Sequence, residues 1–226
     1  MALSTIGANQ IAANSVGSSQ LASGAITSAA MPAGSVLQCV TTNYPNDFIF
    51  TLSASGTNGH MEVATGLNCS ITPTSTSSKV LYQATVYIGA NLWYDIGYHI
   101  IKNATSTTAA TSPTDTSPCG GSYLSDSSGN AIRGQTSNST PRGTGVVNNY
   151  FVAGSAATTG NYVICPVSMS LLDHPNTTSQ ITYNFAIAYY AWATHAIYLN
   201  RSSENQQQAT YDTNPVSTVV LMEIAG

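Results

Sequence analysis

Alternation of apolar and polar residues in two segments is the feature that most constrains how this chain can fold. In KVLYQATVYIGA, residues 79–90, apolar residues at 80, 82, 84, 86 and 88 alternate with Lys79, Gln83 and Thr85. A second segment, 180–191, has the same pattern. A period of two places alternate side chains on opposite faces of a strand, so both segments predict half-buried antiparallel strands.

Further segments rich in β-branched and aromatic residues lie between turn residues, as strands do. They are 35–42, 46–53, 67–72, 92–102, 148–153, 162–172, 196–200 and 216–224. We expect 92–102 to form a hairpin with the strand before it or to be its bent continuation. No segment has a helical period with caps at both ends. The sequence therefore predicts an all-β head, an antiparallel β-sandwich or jelly roll, over residues 35–226.

The N-terminal 36 residues carry an apolar repeat with a period of five. Its members are Ile6, Ile11, Val16, Leu21, Ile26, Met31 and Val36, and small or polar residues lie between them. Five matches neither the 3.6 of a helix nor the 2 of a strand. A single copy buries too little to offset its chain entropy, so the repeat predicts several copies wound about a common axis. We assign residues 1–34 to an extended arm that forms a stalk or attaches to a particle; a flexible linker is the alternative.

Charged residues make up only 6% of the chain, against roughly 25% in ordinary soluble proteins. So little charge favours burial in a stable assembly. The five Lys and Arg residues are scattered, which argues against nucleic-acid binding. The N-terminus lacks the pattern of a secretory signal, and no apolar run is long enough to insert into a membrane.

Cys39, Cys69, Cys119 and Cys165 are far apart and form no CxxC pair, so a zinc site is not expected. Free or buried thiols are the simplest interpretation, although a Cys119–Cys165 bridge stays open. The segment DSSGN, 126–130, lacks the spaced oxygen ligands of a calcium loop and predicts a turn within a short hairpin. We expect no metal and no cofactor.

A tract rich in Ser, Thr, Asn, Gly and Pro, residues 103–147, interrupts the strand pattern. Structureless loops this long are usually functional or disordered. Aromatic faces beside polar donors are suited to holding a sugar, so we treat the aromatic and basic residues in or beside this tract as candidate glycan contacts. These residues are Trp93, Tyr94, Tyr98, Tyr123, Arg133 and Arg142; ordinary packing is the alternative for each.

Two Asp–His pairs are the nearest approach to catalytic chemistry. Asp95 and His99 lie four apart on a predicted strand, and Asp173 and His174 are adjacent before Pro175. No nucleophile motif accompanies either pair, so we expect Asp173 to be a turn former that bonds its own backbone. Paired carboxylates for glycoside hydrolysis are likewise not evident. We predict no catalytic residues and no enzyme activity.

Several segments of the chain resemble C-terminal domains of fibre and appendage proteins of tailed phages, many of them marine or cyanobacterial. The matching segments are MPAGSVLQ (31–38), ITPTSTSSKVL (71–81), MSLLDHPNTTSQITYNF (169–185), YLNRSS (198–203) and STVVLMEIAG (217–226). The arm, 6–27, is similar to the linker repeats that precede such heads. The resemblance implies a homotrimer with a jelly-roll head and places the chain in the virion. It leaves 91–168 largely unassigned.

We therefore expect a short trimeric fibre or appendage on the virion surface, made in the host cytoplasm. Longer fibres of this kind carry a separate attachment domain ahead of the repeats, whereas here the repeats begin near Met1. We therefore expect the arm itself to bind other virion proteins and the head to contact host-cell glycan. An architectural capsid-decoration or baseplate protein without a receptor is the alternative. A glycan depolymerase is the third hypothesis.

Overall fold

The computed structural model of the protein describes residues 26–27, 30–52, 59–90, 96–111, 118–132, 164–189, 195–203 and 214–226. Eleven strands lie within these residues, and the 3₁₀ turn Pro118–Gly120 precedes the seventh. The strands are β1 (Val36–Tyr44), β2 (Phe48–Leu52), β3 (Gly59–Ile71), β4 (Lys79–Ala90), β5 (Ile96–Lys102), β6 (Thr108–Thr111), β7 (Ser122–Tyr123), β8 (Ile164–Asp173), β9 (Ile181–Tyr189), β10 (His195–Leu199) and β11 (Ser217–Ile224).

The strands form two antiparallel sheets. The first sheet has the order β1-β11-β4-β10-β2, with β8 paired along the other edge of β4. The second has the order β6-β3-β9-β5-β7. Alternate residues of both sheets point into one shared apolar core, so the predicted antiparallel β-sandwich is confirmed.

Aromatic side chains fill much of the space between the sheets. Tyr82 of the first sheet lies 6.1 Å from Tyr183 of the second, measured between ring centroids, and Tyr98 stacks on Phe185 at 5.9 Å. All four side chains are fully buried. Because large rings bury the most apolar area per residue, the Tyr82–Tyr183 contact joins the two sheets, and the Tyr98–Phe185 pair packs neighbouring strands of the second sheet.

The strand β4 has the predicted bounds, but the expected hairpin between it and 92–102 is wrong. One edge of β4 pairs with β8 along ten residues, and the other edge pairs with β11 and then β10. Neither edge is free for β5. That strand instead pairs with β9 and β7 in the opposite sheet.

The first part of the polar tract 103–147 is more ordered than expected. It contains β6, the 3₁₀ turn, β7 and a small hairpin closed by the Ser125–Ala131 bridge. Asp126 accepts hydrogen bonds from the backbone N–H groups of Ser128 and Asn130, which confirms the predicted turn. Residues 112–117 and 133–147 lie outside the described residues, as does the predicted strand 148–153.

This part of the tract covers the outer face of the second sheet. A second apolar cluster is buried there, formed by Met61, Val63, Ile101, Cys119, Tyr123, Ala186 and Ala188. Strands β5 and β9 are therefore largely buried on both faces, whereas β4 and β11 have a half-exposed outer face. No disulfide bond joins Cys39, Cys69, Cys119 and Cys165, as the simplest interpretation predicted.

Candidate functional site

Two of the six predicted glycan contacts lie in the protein interior. Tyr98 is 0% exposed in the core between the sheets, and Tyr123 is buried in the cluster on the outer face of the second sheet. Neither ring offers a surface on which a sugar could stack, so these two predictions are wrong. Trp93, Tyr94, Arg133 and Arg142 lie outside the described residues.

Asp173 is the centre of a buried polar cluster, not the turn former that we expected. Its Oδ1 accepts from Lys102 Nζ at 3.0 Å and from the backbone N–H of Ser125 at 2.6 Å. Its Oδ2 accepts from the Tyr183 hydroxyl at 2.7 Å. Burial, and then the Asp173 carboxylate, raise the pKa of Tyr183, so this hydroxyl stays protonated and donates. The cluster ties β8 of the first sheet to β5 and β9 of the second.

The two Asp–His pairs do not form half of a catalytic triad among the described residues. The oxygens of Asp173 are taken by the three donors of its cluster, whereas His174 uses its backbone N–H to bond Ser125 O. Asp95 lies outside the described part of the chain. His99 is fully buried, and neither of its ring nitrogens has a hydrogen-bond partner. Desolvation lowers the pKa of His99 to about 3, so the imidazole is neutral at physiological pH.

Glu223 is a second buried acid, and its carboxylate accepts hydrogen bonds from neutral groups. Its carboxylate accepts from Gln38 Nε2 at 2.6 Å and from the backbone N–H and hydroxyl of Thr74 at 2.7 and 2.8 Å. Burial by itself would raise the pKa of Glu223, but the hydrogen bonds from Gln38 and Thr74 help to outweigh it, and the pKa is lowered. The carboxylate thus joins β1 and β11 to the loop before β4.

Asn200 directly follows the end of β10 and lies beside the loop that connects β1 to β2. It has a left-handed backbone, φ 59°, which asparagine tolerates better than most residues. Its Nδ2 donates to Tyr44 O at 2.6 Å and to Asn46 O at 2.9 Å, and its Oδ1 accepts from Ser217 Oγ at 2.5 Å. The side chain therefore joins the end of β10 to the loop between β1 and β2 and to the start of β11.

We expect Asn200→Asp to lower the free energy of unfolding by about 1–3 kcal/mol, because a carboxylate cannot donate to the two carbonyls that Asn200 now satisfies. Urea denaturation of both proteins measures the change. Asn43→Asp is a matched control, since Asn43 is exposed. A loss no larger than that of the control would contradict the role assigned to Asn200.

The outer side of β1, β11, β4 and β8 is a sheet surface whose side chains are half-buried or exposed, and we call it the β1–β8 face. Its outward side chains are Val36, Cys39, Thr41 and Asn43 on β1; Thr218, Val220, Met222 and Ile224 on β11; Lys79, Leu81, Gln83, Thr85 and Tyr87 on β4; and Pro166, Ser168, Ser170 and Leu172 on β8. Lys79 is the sole charged side chain in this set. A groove of about 420 Å³ lies at the centre of this face, lined by polar Gln83, Thr85, Ser168, Ser170 and Thr218 together with apolar Ala84, Met169 and Val220.

The arm enters the head at one end of the β1–β8 face. Gly34 N donates to Ala225 O, and Ala225 N donates to Ser35 O, both at 2.8 Å. Of the predicted arm residues, Ile26 and Met31 lie in the described part, and both are exposed, at 58% and 39%. Ile6, Ile11, Val16 and Leu21 lie outside it. The boundary at residue 34 stays a prediction.

Within the described ranges, no group of three or more His, Cys, Asp or Glu side chains could hold a metal ion. In the same ranges, no helix has the length and hydrophobicity needed to cross a membrane.

No protein-family profile matches the chain, and no curated protein matches it in sequence. Among solved structures, it is similar to the VP2 protein of infectious bursal disease virus in T=1 particles, with a TM-score of 0.33 and 9% identity over 83% of this chain. The structure of the Gx strain of that virus gives a TM-score of 0.33 and 12% identity over 85%. This chain spans 36% and 37% of the length of those two chains. Similarity at this level carries no argument about the function of this protein.

Proposed function

We propose that this chain is a non-enzymatic structural protein of a virus particle that self-associates through its N-terminal arm. The observation that carries the proposal is the exposure of three successive members of the five-residue repeat. Ile26, Met31 and Val36 are 58%, 39% and 52% exposed in the single chain. Single exposed apolar residues are ordinary, but a regular series of them needs a regular cover. Equivalent arms of further copies provide that cover.

The finer assignment is a short trimeric fibre or appendage of a tailed phage. Its support is the resemblance of 31–38, 71–81, 169–185 and 217–226 to the heads of such fibres, together with the repeat. In this proposal the arm attaches to other virion proteins and the head projects outward. The confirmed β-sandwich is the kind of head that the resemblance implies.

We expect the full chain to be a trimer by analytical ultracentrifugation. A variant with Ile11, Val16 and Leu21 replaced by serine should dissociate at least tenfold more readily, because the apolar layers of the arm are lost. A control with serine at the intervening Ala12, Ala13 and Ala22 should keep the association of the original protein. A full chain that stays monomeric at all concentrations would refute self-association.

The virion assignment is tested separately, by mass spectrometry and a cryo-electron microscopy map of particles of the virus that encodes the chain. We expect the chain in purified particles, at sites with threefold symmetry. Its absence from the particles would refute the virion role even if the isolated chain proved to be a trimer.

An architectural role without a receptor is the second candidate. It is favoured by the burial of Tyr98 and Tyr123, which removes two of the six side chains on which glycan contact rested. Binding of the full chain to a glycan array, lost in Trp93→Ala, would favour host contact instead. Release of reducing ends from host polysaccharide would revive the depolymerase hypothesis.

A further inference from the structure

We propose that the β1–β8 face is a self-association surface that packs against a second copy of this chain. The proposal deepens the proposed function and rests on its self-association part, but not on the virion role. It assigns the contact between heads to one sheet face. The arm repeat implies that arms associate but does not say which part of the head is in contact.

The first observation is a continuous apolar row across all four strands of the face. Cys39, Met222, Leu81 and Leu172 are paired neighbours along this row. Leu172 is 40% exposed at one end of the row, and Cys39 is exposed at the other. A row of apolar side chains left accessible on an outer sheet face indicates a partner that covers it.

The second observation is the position of this row relative to the arm. It lies beside Val36 and Ile224, next to the hydrogen bonds between Gly34, Ser35 and Ala225 where the arm enters the head. The repeat position Val36 therefore belongs both to the arm and to the face. If arms of several copies associate, the same ends of the heads are brought together, and the apolar row lies only two or three residues further along the strands than Val36, Ile224 and Lys79 at that end.

The third observation is the chemistry of the rest of the face. Away from the arm the face carries Thr41, Gln83, Ser170 and Thr218 around Val220, and their hydroxyls and amide can pair with polar groups of a neighbouring copy. Charged residues are depleted from the cores of protein interfaces, and here Lys79 lies at the margin. A copy of this charge-poor chain matches such a surface, whereas a strongly charged partner does not.

The size of the face explains why face and arm act together. Four strands about 4.8 Å apart, and about eight residues long at about 3.4 Å per residue, cover roughly 500 Å² in projection. A standard interface buries about 800 Å² on each partner. The face supplies over half of that area, so the associated arms are needed to complete a stable contact.

Cys39 is the natural reporter for this contact. It is exposed in the single chain, whereas Cys69 and Cys119 are buried and Cys165 is partly covered by the core. In the associated full chain, we expect a maleimide reagent to label Cys39 at least tenfold more slowly than free N-acetylcysteine. Leu172→Lys and Thr41→Arg, each at an exposed position of the face, should restore rapid labelling.

Ile49→Lys is the matched control, because Ile49 is 43% exposed on β2 of the same sheet but outside the face. It should leave Cys39 protected. Circular dichroism and thermal melting of every variant establish that the head is folded, so rapid labelling reports the face.

The outcomes separate this proposal from the broader one. A trimer in which Cys39 labels as fast as N-acetylcysteine would overturn the face while leaving association through the arm. Protection of Cys39 in a chain that sediments as a monomer would overturn both, since a segment of the same chain would then be the cover. Protection that survives both Leu172→Lys and Thr41→Arg would also refute the face.

Discussion

Replacing Asp173 by alanine is expected to lower the free energy of unfolding by about 3–5 kcal/mol, the usual cost of breaking a buried ion pair from one side. The substitution leaves the Lys102 ammonium group buried without its carboxylate. It also removes the acceptor of the Tyr183 hydroxyl and of the Ser125 N–H. Because a buried charge without a partner is costlier than a lost hydrogen bond, the Lys102 contribution should dominate. Urea denaturation at pH 7 measures the loss.

The double variant Lys102→Met, Asp173→Leu is the control for this prediction. It removes both charges and fills a similar volume, so it should recover a large part of the stability that Asp173→Ala loses. A single variant that loses less than about 1 kcal/mol would contradict the assignment. In that case water would be entering the site to solvate Lys102.

The second large effect is a dependence of stability on pH that comes from His99. In the folded protein its pKa is about 3, and in the unfolded chain it is near 6.5. Between these values the unfolded chain binds the extra proton, so the contribution of His99 is fully present above pH 6.5 and is lost as the pH falls toward 3. The loss between pH 6.5 and 4.5 is roughly 2 kcal/mol, because the unfolded histidine is already half protonated at pH 6.5.

His99→Phe tests the cause, because neither ring nitrogen has a hydrogen-bond partner to lose. We expect the variant to be similarly stable at pH 7.5 and to have a flatter dependence between pH 6.5 and 4.5 than the original protein. Measurements above pH 4.5 keep most carboxylates ionised, so the difference between the two curves reports the contribution of His99. Parallel curves for the two proteins would show that another group is responsible.

The strands were the most predictable part of the fold. The alternation at 79–90 matches the bounds of β4, and 180–191 contains β9, because half-buried strands carry a period of two in their sequence. The long strand β3 was predicted only at its end. Its first half is buried on both faces, by Met61, Val63 and Ala64, so apolar and polar residues do not alternate there. The short strands β6 and β7 were missed for lack of any apolar pattern.

The candidate site was far less predictable. Tyr98 and Tyr123 were chosen for their position beside a polar tract, but whether a tyrosine is exposed depends on what packs over it. Asp173, Glu223 and Asn200 gave no signal, because their partners are distant in sequence: Lys102 is 71 residues from Asp173, and Gln38 is 185 residues from Glu223. No local pattern encodes such pairs.

The residues alone determined the all-β class, the five-residue repeat of the arm and the low charge of the chain. These properties follow from local periodicity and composition, which any stretch of sequence displays by itself. The tertiary structure decided which sheet takes β5, which polar groups are buried together, and that the apolar row of the β1–β8 face lies beside the arm. Those outcomes depend on the register between strands far apart in the chain. The local sequence of one segment does not determine how favourably it pairs with a distant segment.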